Sequence, residues 1–306
     1  MLSIEDRIQQ ALPSFMPGAS LLKTWTLKGG ISATMTAFEV QVPGEAPRKL
    51  IARQPGPWRV RENPNAVELE YRVLQAVYEL GLPVQQPYYL EPLAPENTLP
   101  FYVVEFVEGE PDVSPINSDQ FLQRYVDGLV AIHRVDWHQG SLEHLPRQTR
   151  AIWGASENLN EALREPEIRP VLAHYPPYLE SNPRVLRHGD YWPGNILWRD
   201  GEIAAIIDWE EAKIGEPLMD LAICRLDILW ILGPDAMQTM TDLYQAEMNL
   251  DLSDLPFWDL CASLRPVSNL QEWADSYPHL GRPDVTLESM TRDHQWFVDQ
   301  ALASRR

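Results

Sequence analysis

The stretch RHGDYWPGNILWRDGEIAAIIDWE, Arg187 to Glu210, places Asp190, Asn195 and Asp208 among apolar residues that read as core. A carboxylate buried without a partner is costly, so something must neutralise these groups. An Asn oxygen and an Asp carboxylate are the donors that a hard cation such as Mg²⁺ prefers. Asp190 stands five residues before Asn195, across the turn made by Pro193 and Gly194. A carboxylate there can take the proton of a substrate hydroxyl. One base, two oxygen ligands and a Gly-bearing turn far upstream together describe phosphoryl transfer from a nucleotide.

These residues need elements to hold them. RVLR and NILW read as short strands, and IAAIID (203–208) as a third. Asp200-Gly201 is a two-residue hairpin turn between the last two. Asn195 then begins one strand and Asp208 ends the other, so the two side chains are expected to converge. Upstream, 21–28, 33–42 and 48–54 read as strands, with PGEAP (43–47) as a turn. Leu69, Val73, Ala76, Val77 and Leu80 mark one face of a helix. Asn65 with Glu68 is its expected capping pair, and Gly81 and Pro83 end it. Strands follow at 88–93 and 101–107. After EGEPDVSP the pattern turns helical: Phe121, Leu122, Tyr125, Leu129 and Ile132 define a long helix with Ser118 as its expected cap. The expectation is an α+β chain. Residues 1–107 form a small lobe of five antiparallel strands and one helix, and 108–306 a larger, mainly helical catalytic and substrate-binding lobe.

Composition narrows the partners. The 44 acidic and 25 basic side chains give a net charge of −19, which repels phosphate backbones and argues against nucleic acid. The same charge attracts a cationic small molecule, although most of it serves solubility. The most apolar run, LAICRLDILWILG, is broken by Arg225 and Asp227, so no membrane span is expected. Glu5 and Asp6 stand where a signal peptide carries positive charge, and a cytoplasmic protein is expected. Cys224 and Cys261 lie in apolar helical context and read as buried thiols.

HGDYWPGN and IDWE resemble the catalytic core of the aminoglycoside phosphotransferase-like kinases, small-molecule kinases of protein-kinase-like two-lobe fold. The resemblance implies Asp190 as catalytic base and Asn195 and Asp208 as Mg²⁺ ligands. It implies ATP or GTP as phosphoryl donor and a small-molecule hydroxyl as acceptor. GGISATMTAFEV looks like the loop that covers the nucleotide, which brings in Gly29, Gly30 and Ser32. FYVVEFVEGEP looks like the lobe connection, where the backbone of Glu105, Phe106 and Val107 would hold the adenine. In GEPLMDLA, Asp220 would anchor the catalytic loop by hydrogen bonds.

One position departs from the pattern. Where a protein kinase carries a phosphate-contacting Lys on its third strand, LIAR carries Arg53, with Glu70 as the expected ion-pair partner. Arginine can grip phosphate bidentately, but its longer fork shifts the geometry. The plain alternative is an ordinary surface Arg–Glu pair. Arg53 also favours a second functional reading, a catalytically inactive kinase-like protein that binds nucleotide or a partner. The presence of the base and both metal ligands speaks against it. His188 is expected to hold the loop and His133 to be a satisfied core histidine. Trp192 is core or pocket wall, and Glu210 is open between a supporting and a solvated role.

Overall fold

The computed structural model describes residues 2–27, 33–91, 98–148, 158–176 and 178–304. The chain divides into two compact units. One is Met1–Glu108 with Ala205–Glu210, and the other is Gly109–Ala204 with Glu211–Arg306. The segment that carries Asp208 therefore belongs to the first unit, although it follows the catalytic loop in sequence.

The first unit runs α1 (Ile4–Phe15), β1 (Ser20–Thr26), β2 (Ala33–Gln41), β3 (Arg48–Pro55), α2 (Pro57–Glu62), α3 (Ala66–Glu79), β4 (Pro87–Leu90) and β5 (Tyr102–Glu105). The strands form one sheet in the order β1-β2-β3-β5-β4, with antiparallel neighbours throughout. Among the described residues the unit has three helices where the sequence pattern shows one. α1 was not anticipated. Ser3 caps it through a reciprocal bond with Asp6, and Ile8, Leu12 and Met16 face the sheet. There they meet Phe38, Val40, Leu50, Ala52, Phe101 and Val103 in the unit's core.

The pleat of β3 then decides the site. Leu50 and Ala52 pack toward α1, so the alternate residues Ile51 and Arg53 point to the other face. On α3 the buried positions are Ala66, Val67, Glu70, Val73, Leu74, Ala76 and Val77. The expected stripe is rotated: Leu69 is half-buried, Leu80 is exposed, and Glu70 takes an inward position. The Asn65 side chain makes no capping hydrogen bond, contrary to the expected pair with Glu68.

The second unit contains α4 (Ser118–His133), α5 (Glu165–Leu172), β6 (Val185–Arg187), β7 (Ile196–Arg199), β8 (Glu202–Ile206, its last two residues counted with the first unit), β9 (Lys213–Gly215), α6 (Pro217–Leu232), α7 (Pro234–Met248), α8 (Leu255–Ala262), α9 (Leu270–Ser276) and α10 (Leu287–Ala303). The cap of α4 is Asn117, whose side chain accepts from the Gln120 N–H; Ser118 is the first helical residue. β6 pairs with β9 and β7 with β8. Asp200 and Gly201, at φ 55° and 81°, form the expected turn of the latter hairpin.

α6 is the centre of this unit. It is apolar all round and buried along almost its whole length, as an interior helix must be. Its three charged residues each find a partner of opposite charge: Asp220 with Arg187, Arg225 with Asp259, and Asp227 with Arg265. Cys224 and Cys261 are buried free thiols, as expected. Among the described residues, no helix is long and apolar enough to cross a membrane.

Candidate active site

In the second unit, the segment from β6 to β7 is a loop fixed at nearly every residue. Asp220, buried on α6, accepts hydrogen bonds from Arg187 Nε (2.8 Å), the His188 N–H (2.8 Å) and the Gly189 N–H (3.2 Å). His133 Nε2 lies 3.4 Å away on the far side, and its Nδ1 meets the Tyr244 hydroxyl at 2.6 Å. Burial works against the ionised form of Asp220. Arg187 and His133 override that and hold its carboxyl well below the usual range. The anchoring role implied for Asp220 is thus present in the geometry.

Gly189 has φ +84°, and a Cβ there would stand 2.6 Å from the Glu211 carbonyl oxygen, so both backbone angle and space require glycine. His188 is fully buried, and its Nδ1 accepts from the Asp190 N–H at 3.3 Å, which places its proton on Nε2. It holds the loop, as expected. Tyr191 and Tyr125 exchange hydroxyl-to-carbonyl bonds of 2.8 and 2.7 Å. Gly128 on α4 leaves room for the Tyr191 hydroxyl, which would stand 2.3 Å from a Cβ at that position.

Asp190 emerges from this scaffold partly exposed. Asn195, at the end of the 3-10 turn Pro193–Asn195, donates its Nδ2 to the Asp190 carbonyl (3.0 Å) and to Asp190 Oδ2 (2.9 Å). The Asn195 amide is thereby oriented, leaving its oxygen as the donor atom for a cation. Arg265 Nη2 donates to Asp190 Oδ1.

In the first unit, Arg53 is buried and surrounded by carboxylates. Its Nη2 lies 2.7 Å from Asp208 Oδ1 and 3.0 Å from Glu210 Oε2. Its Nε lies 3.0 Å from Glu70 Oε1, off the line of a formed hydrogen bond, so this contact is an ion pair only. Arg59 also reaches Glu210, at 3.5 Å. The surface-pair reading of Arg53 fails because both Arg53 and Glu70 are buried. Burial pushes the Glu70 carboxyl up, and Arg53 partly offsets it. Burial and the neighbouring Asp208 raise the Glu210 carboxyl to about 7.

Asp208 itself follows β8 with φ 66°, a left-handed conformation that costs a non-glycine residue on the order of 1 kcal/mol. The Trp209 indole closes this turn onto the Ile206 carbonyl at 3.0 Å, and the Ile206 N–H is tied to the Pro83 carbonyl at 2.7 Å. One carboxylate oxygen each from Glu70, Asp208 and Glu210 lie within 4.8 Å of one another. Three carboxylates, an all-oxygen donor set, face the guanidinium groups of Arg53 and Arg59. That chemistry fits a hard divalent cation.

The implied adenine segment is partly committed within the sheet. The Glu105 N–H bonds the Gln86 carbonyl (2.9 Å), and the Phe106 N–H bonds the Lys49 carbonyl (3.2 Å). Among the described residues, Val107 is the one of the three whose N–H has no hydrogen-bond partner. Gly29, Gly30 and Ser32 lie outside the described residues.

Structure thus groups Arg53, Glu70 and Asp208 in the first unit and Asp190 with Asn195 in the second. Sequence reasoning missed Arg59, Arg265 and Asp227, and left Glu210 undecided. Only Glu210 carried a local signal, its place two residues after Asp208.

Comparison with known proteins gives the family and the fold. The family model described as "Phosphotransferase enzyme family" (APH) matches residues 29–248, more than half the chain, and the chain belongs to that family. Among curated proteins it is similar to acyl-CoA dehydrogenase family member 11 of Rattus norvegicus, 26% identical over 246 residues (74% of this chain, 31% of that protein). It is also similar to acyl-CoA dehydrogenase family member 10 of Mus musculus, 26% identical over 197 residues (58% and 18%). Homoserine kinase of Methylocella silvestris is 30% identical over 131 residues (43% and 35%). The chain spans less than a third of the two acyl-CoA dehydrogenase family relatives.

Two solved structures share the fold. The GDP complex of aminoglycoside 2'-phosphotransferase-IIIa matches with TM-score 0.62 at 18% identity, over 96% of this chain and 99% of that one. A thermostable mutant of aminoglycoside phosphotransferase APH(4)-Ia, in ternary complex with AMP-PNP and hygromycin B, matches with TM-score 0.58 at 16% identity (94% and 98%). The architecture is therefore the protein-kinase-like fold of the aminoglycoside phosphotransferases, with an antiparallel-sheet unit and a helical unit.

Proposed function

We propose that the protein is a small-molecule kinase that transfers the γ-phosphoryl group of ATP or GTP to a substrate hydroxyl. The observation that carries this reading is the catalytic loop. Asp220 fixes the backbone of His188 and Gly189, so that Asp190 projects with its carboxylate against the Asn195 amide. Asp190 takes the proton of the acceptor hydroxyl. Mg²⁺ would be held by Asn195 and Asp208, and Glu210 and Glu70 would add negative charge beside Asp208. When bound, Mg²⁺ neutralises charge on the transferring phosphoryl group. Arg53, paired with Glu70 as the kinase lysine would be, contacts the phosphates, and the Val107 N–H meets the adenine. The resemblance of the sequence assigns Gly29, Gly30 and Ser32 to nucleotide binding.

The acceptor is a cationic or amino-bearing alcohol, a reading supported by the net charge of −19. Among the relatives, one is named homoserine kinase, and one matching structure holds hygromycin B. The inactive-binder reading rests on Arg53 in place of the kinase lysine; the buried pair of Arg53 with Glu70, the partner that lysine would take, speaks for the kinase. The test is nucleotide turnover with and without a library of hydroxyl-bearing acceptors, repeated with Mg²⁺ withheld. Mg²⁺-dependent, acceptor-stimulated phosphate transfer is expected. Nucleotide binding with no transfer to any acceptor would favour the binding protein.

A further inference from the structure

Asp190 is held from two sides, and one holder has no part in the reading above. Asn195 Nδ2 takes one carboxylate oxygen at 2.9 Å, and Arg265 Nη2 takes the other. Arg265 lies in the 3-10 turn Arg265–Ser268, just after α8. It is itself fixed on two further sides. Its Nη1 is 3.5 Å from Asp227 Oδ2, and its guanidinium packs over the Trp273 ring at 5.6 Å from the centroid. Trp273 in turn stands edge-on to Trp230 of α6.

This arrangement is more than a neutralised surface charge. Asp227 is 5% exposed in the middle of the most apolar helix of the chain. A buried carboxylate costs stability that a well-packed apolar side chain would not. Among the described residues, the partner of that carboxylate is Arg265. Asp227 and Asp190 sit on different elements, 37 residues apart, and the arginine fork spans both. A lysine, with one point of charge, can serve only one of them fully.

We propose that Arg265 is a positioning residue for phosphoryl transfer: it fixes the direction of the Asp190 carboxylate, and Asp227 fixes Arg265. The inference rests on Asp190 being the base. Each carboxylate oxygen keeps a lone pair beyond the one already engaged. The clamped group therefore still accepts the acceptor's proton, from a set direction. Loss of the clamp lets the carboxylate turn about its own side-chain torsions, and the share of complexes in reactive geometry falls.

The full chain is compared as Arg265→Met, Arg265→Lys, Asp227→Asn and the double variant Arg265→Met/Asp227→Asn. Small misplacements of a reacting group can cost roughly 10²-fold. Arg265→Met is expected to lose about that factor in kcat, with the nucleotide KM within about twofold. Arg265→Lys recovers part of the loss, and Asp227→Asn loses less than Arg265→Met. The double variant is no slower than Arg265→Met alone, because both act through one clamp. Parental kcat in Arg265→Met, or additive losses in the double variant, overturns the proposal. If Arg265→Met does not fold, parental kcat in both Arg265→Lys and Asp227→Asn overturns it. A crystal structure of Arg265→Lys, and of Arg265→Met where it folds, asks the same question without an acceptor. A displaced Asp190 carboxylate is expected; an unmoved one in both overturns the proposal. Asp190→Asn separates the two levels: if it keeps the parental rate, the base assignment fails, while the crystal structures still decide the clamp.

Discussion

Replacing Asp227 by Asn should stabilise the protein at the pH where it slows it. Burial, against the pull of Arg265 and with the repulsion of Asp190, raises the Asp227 carboxyl to about 7. Tyr125, Tyr277 and Cys224 are the other titratable groups that feel it. The folded chain thus binds this proton more tightly than the unfolded chain, whose Asp titrates near pH ~4. Below about pH 4 both forms are protonated and the site is neutral in the balance. As pH climbs from about 4 to about 7 the unfolded chain releases its proton first, and stability falls; above about 7 it stays at its lower level. At about 1.4 kcal/mol per pKa unit the whole gap is about 4 kcal/mol, an upper figure, and about 2.5 kcal/mol of it opens between pH 5 and 7.5. Asp227→Asn keeps the shape and removes the ionisation. Its melting temperature should therefore come closest to the parent's near pH 4 and exceed it by several degrees at pH 8. The assay is thermal unfolding of both proteins from pH 4.5 to 8.5. A difference that does not grow with pH, or a variant less stable than the parent at pH 8, would refute the reasoning. Paired with the expected loss of kcat, the outcome is a stability–activity trade-off at one side chain.

Two further outcomes are expected. Asp220→Asn leaves the buried Arg187 without its counter-charge, which costs roughly 3–5 kcal/mol. Unfolding at neutral pH should show that loss, and a melting temperature within about 2 °C of the parent would contradict it. Arg53→Met should weaken triphosphate binding about 10–100-fold, the worth of a charge-assisted contact, and leave the bare nucleoside within about twofold. Calorimetric titration of both ligands checks this, and equal losses would remove Arg53 from the phosphate site.

What could be read from the sequence was what local pattern encodes. Strand-like runs bounded by turn residues marked all five strands of the first unit, with alternation in β2, and Asp200-Gly201 marked the hairpin, because the two positive φ angles demand such residues. The loop was legible because its spacing is short: Asp190 and Asn195 touch within one turn. Where the pattern misled, tertiary packing had overridden it. The α3 stripe turned to bring Glu70 inward to Arg53, and α4 took its cap one residue earlier, at Asn117. α1 has a faint pattern: Ile8 and Leu12, one turn apart on the face that covers the sheet, stand among charged and polar residues. The remaining site residues had no local signature at all. Arg53 meets Asp208 across 155 residues, Arg59 meets Glu210 across 151, and Arg265 meets Asp190 across 75. An arginine in SLRPVS looks like any other until the fold supplies its carboxylate.

The account depends most on Asp190 as the base, and Asp190→Asn tests it most directly. The substitution keeps size and one acceptor oxygen, sets an NH2 donor against one of the two donors Asn195 and Arg265, and cannot take up the proton. With a confirmed acceptor, single-turnover phosphate transfer is measured for parent and variant, alongside nucleotide affinity. General base catalysis contributes roughly 10²–10⁴-fold, and the lower end suits a loose transition state in which the proton leaves late. The account predicts a rate loss of about 10² or more with nucleotide affinity unchanged. A variant that transfers phosphate within about twofold of the parent would contradict it.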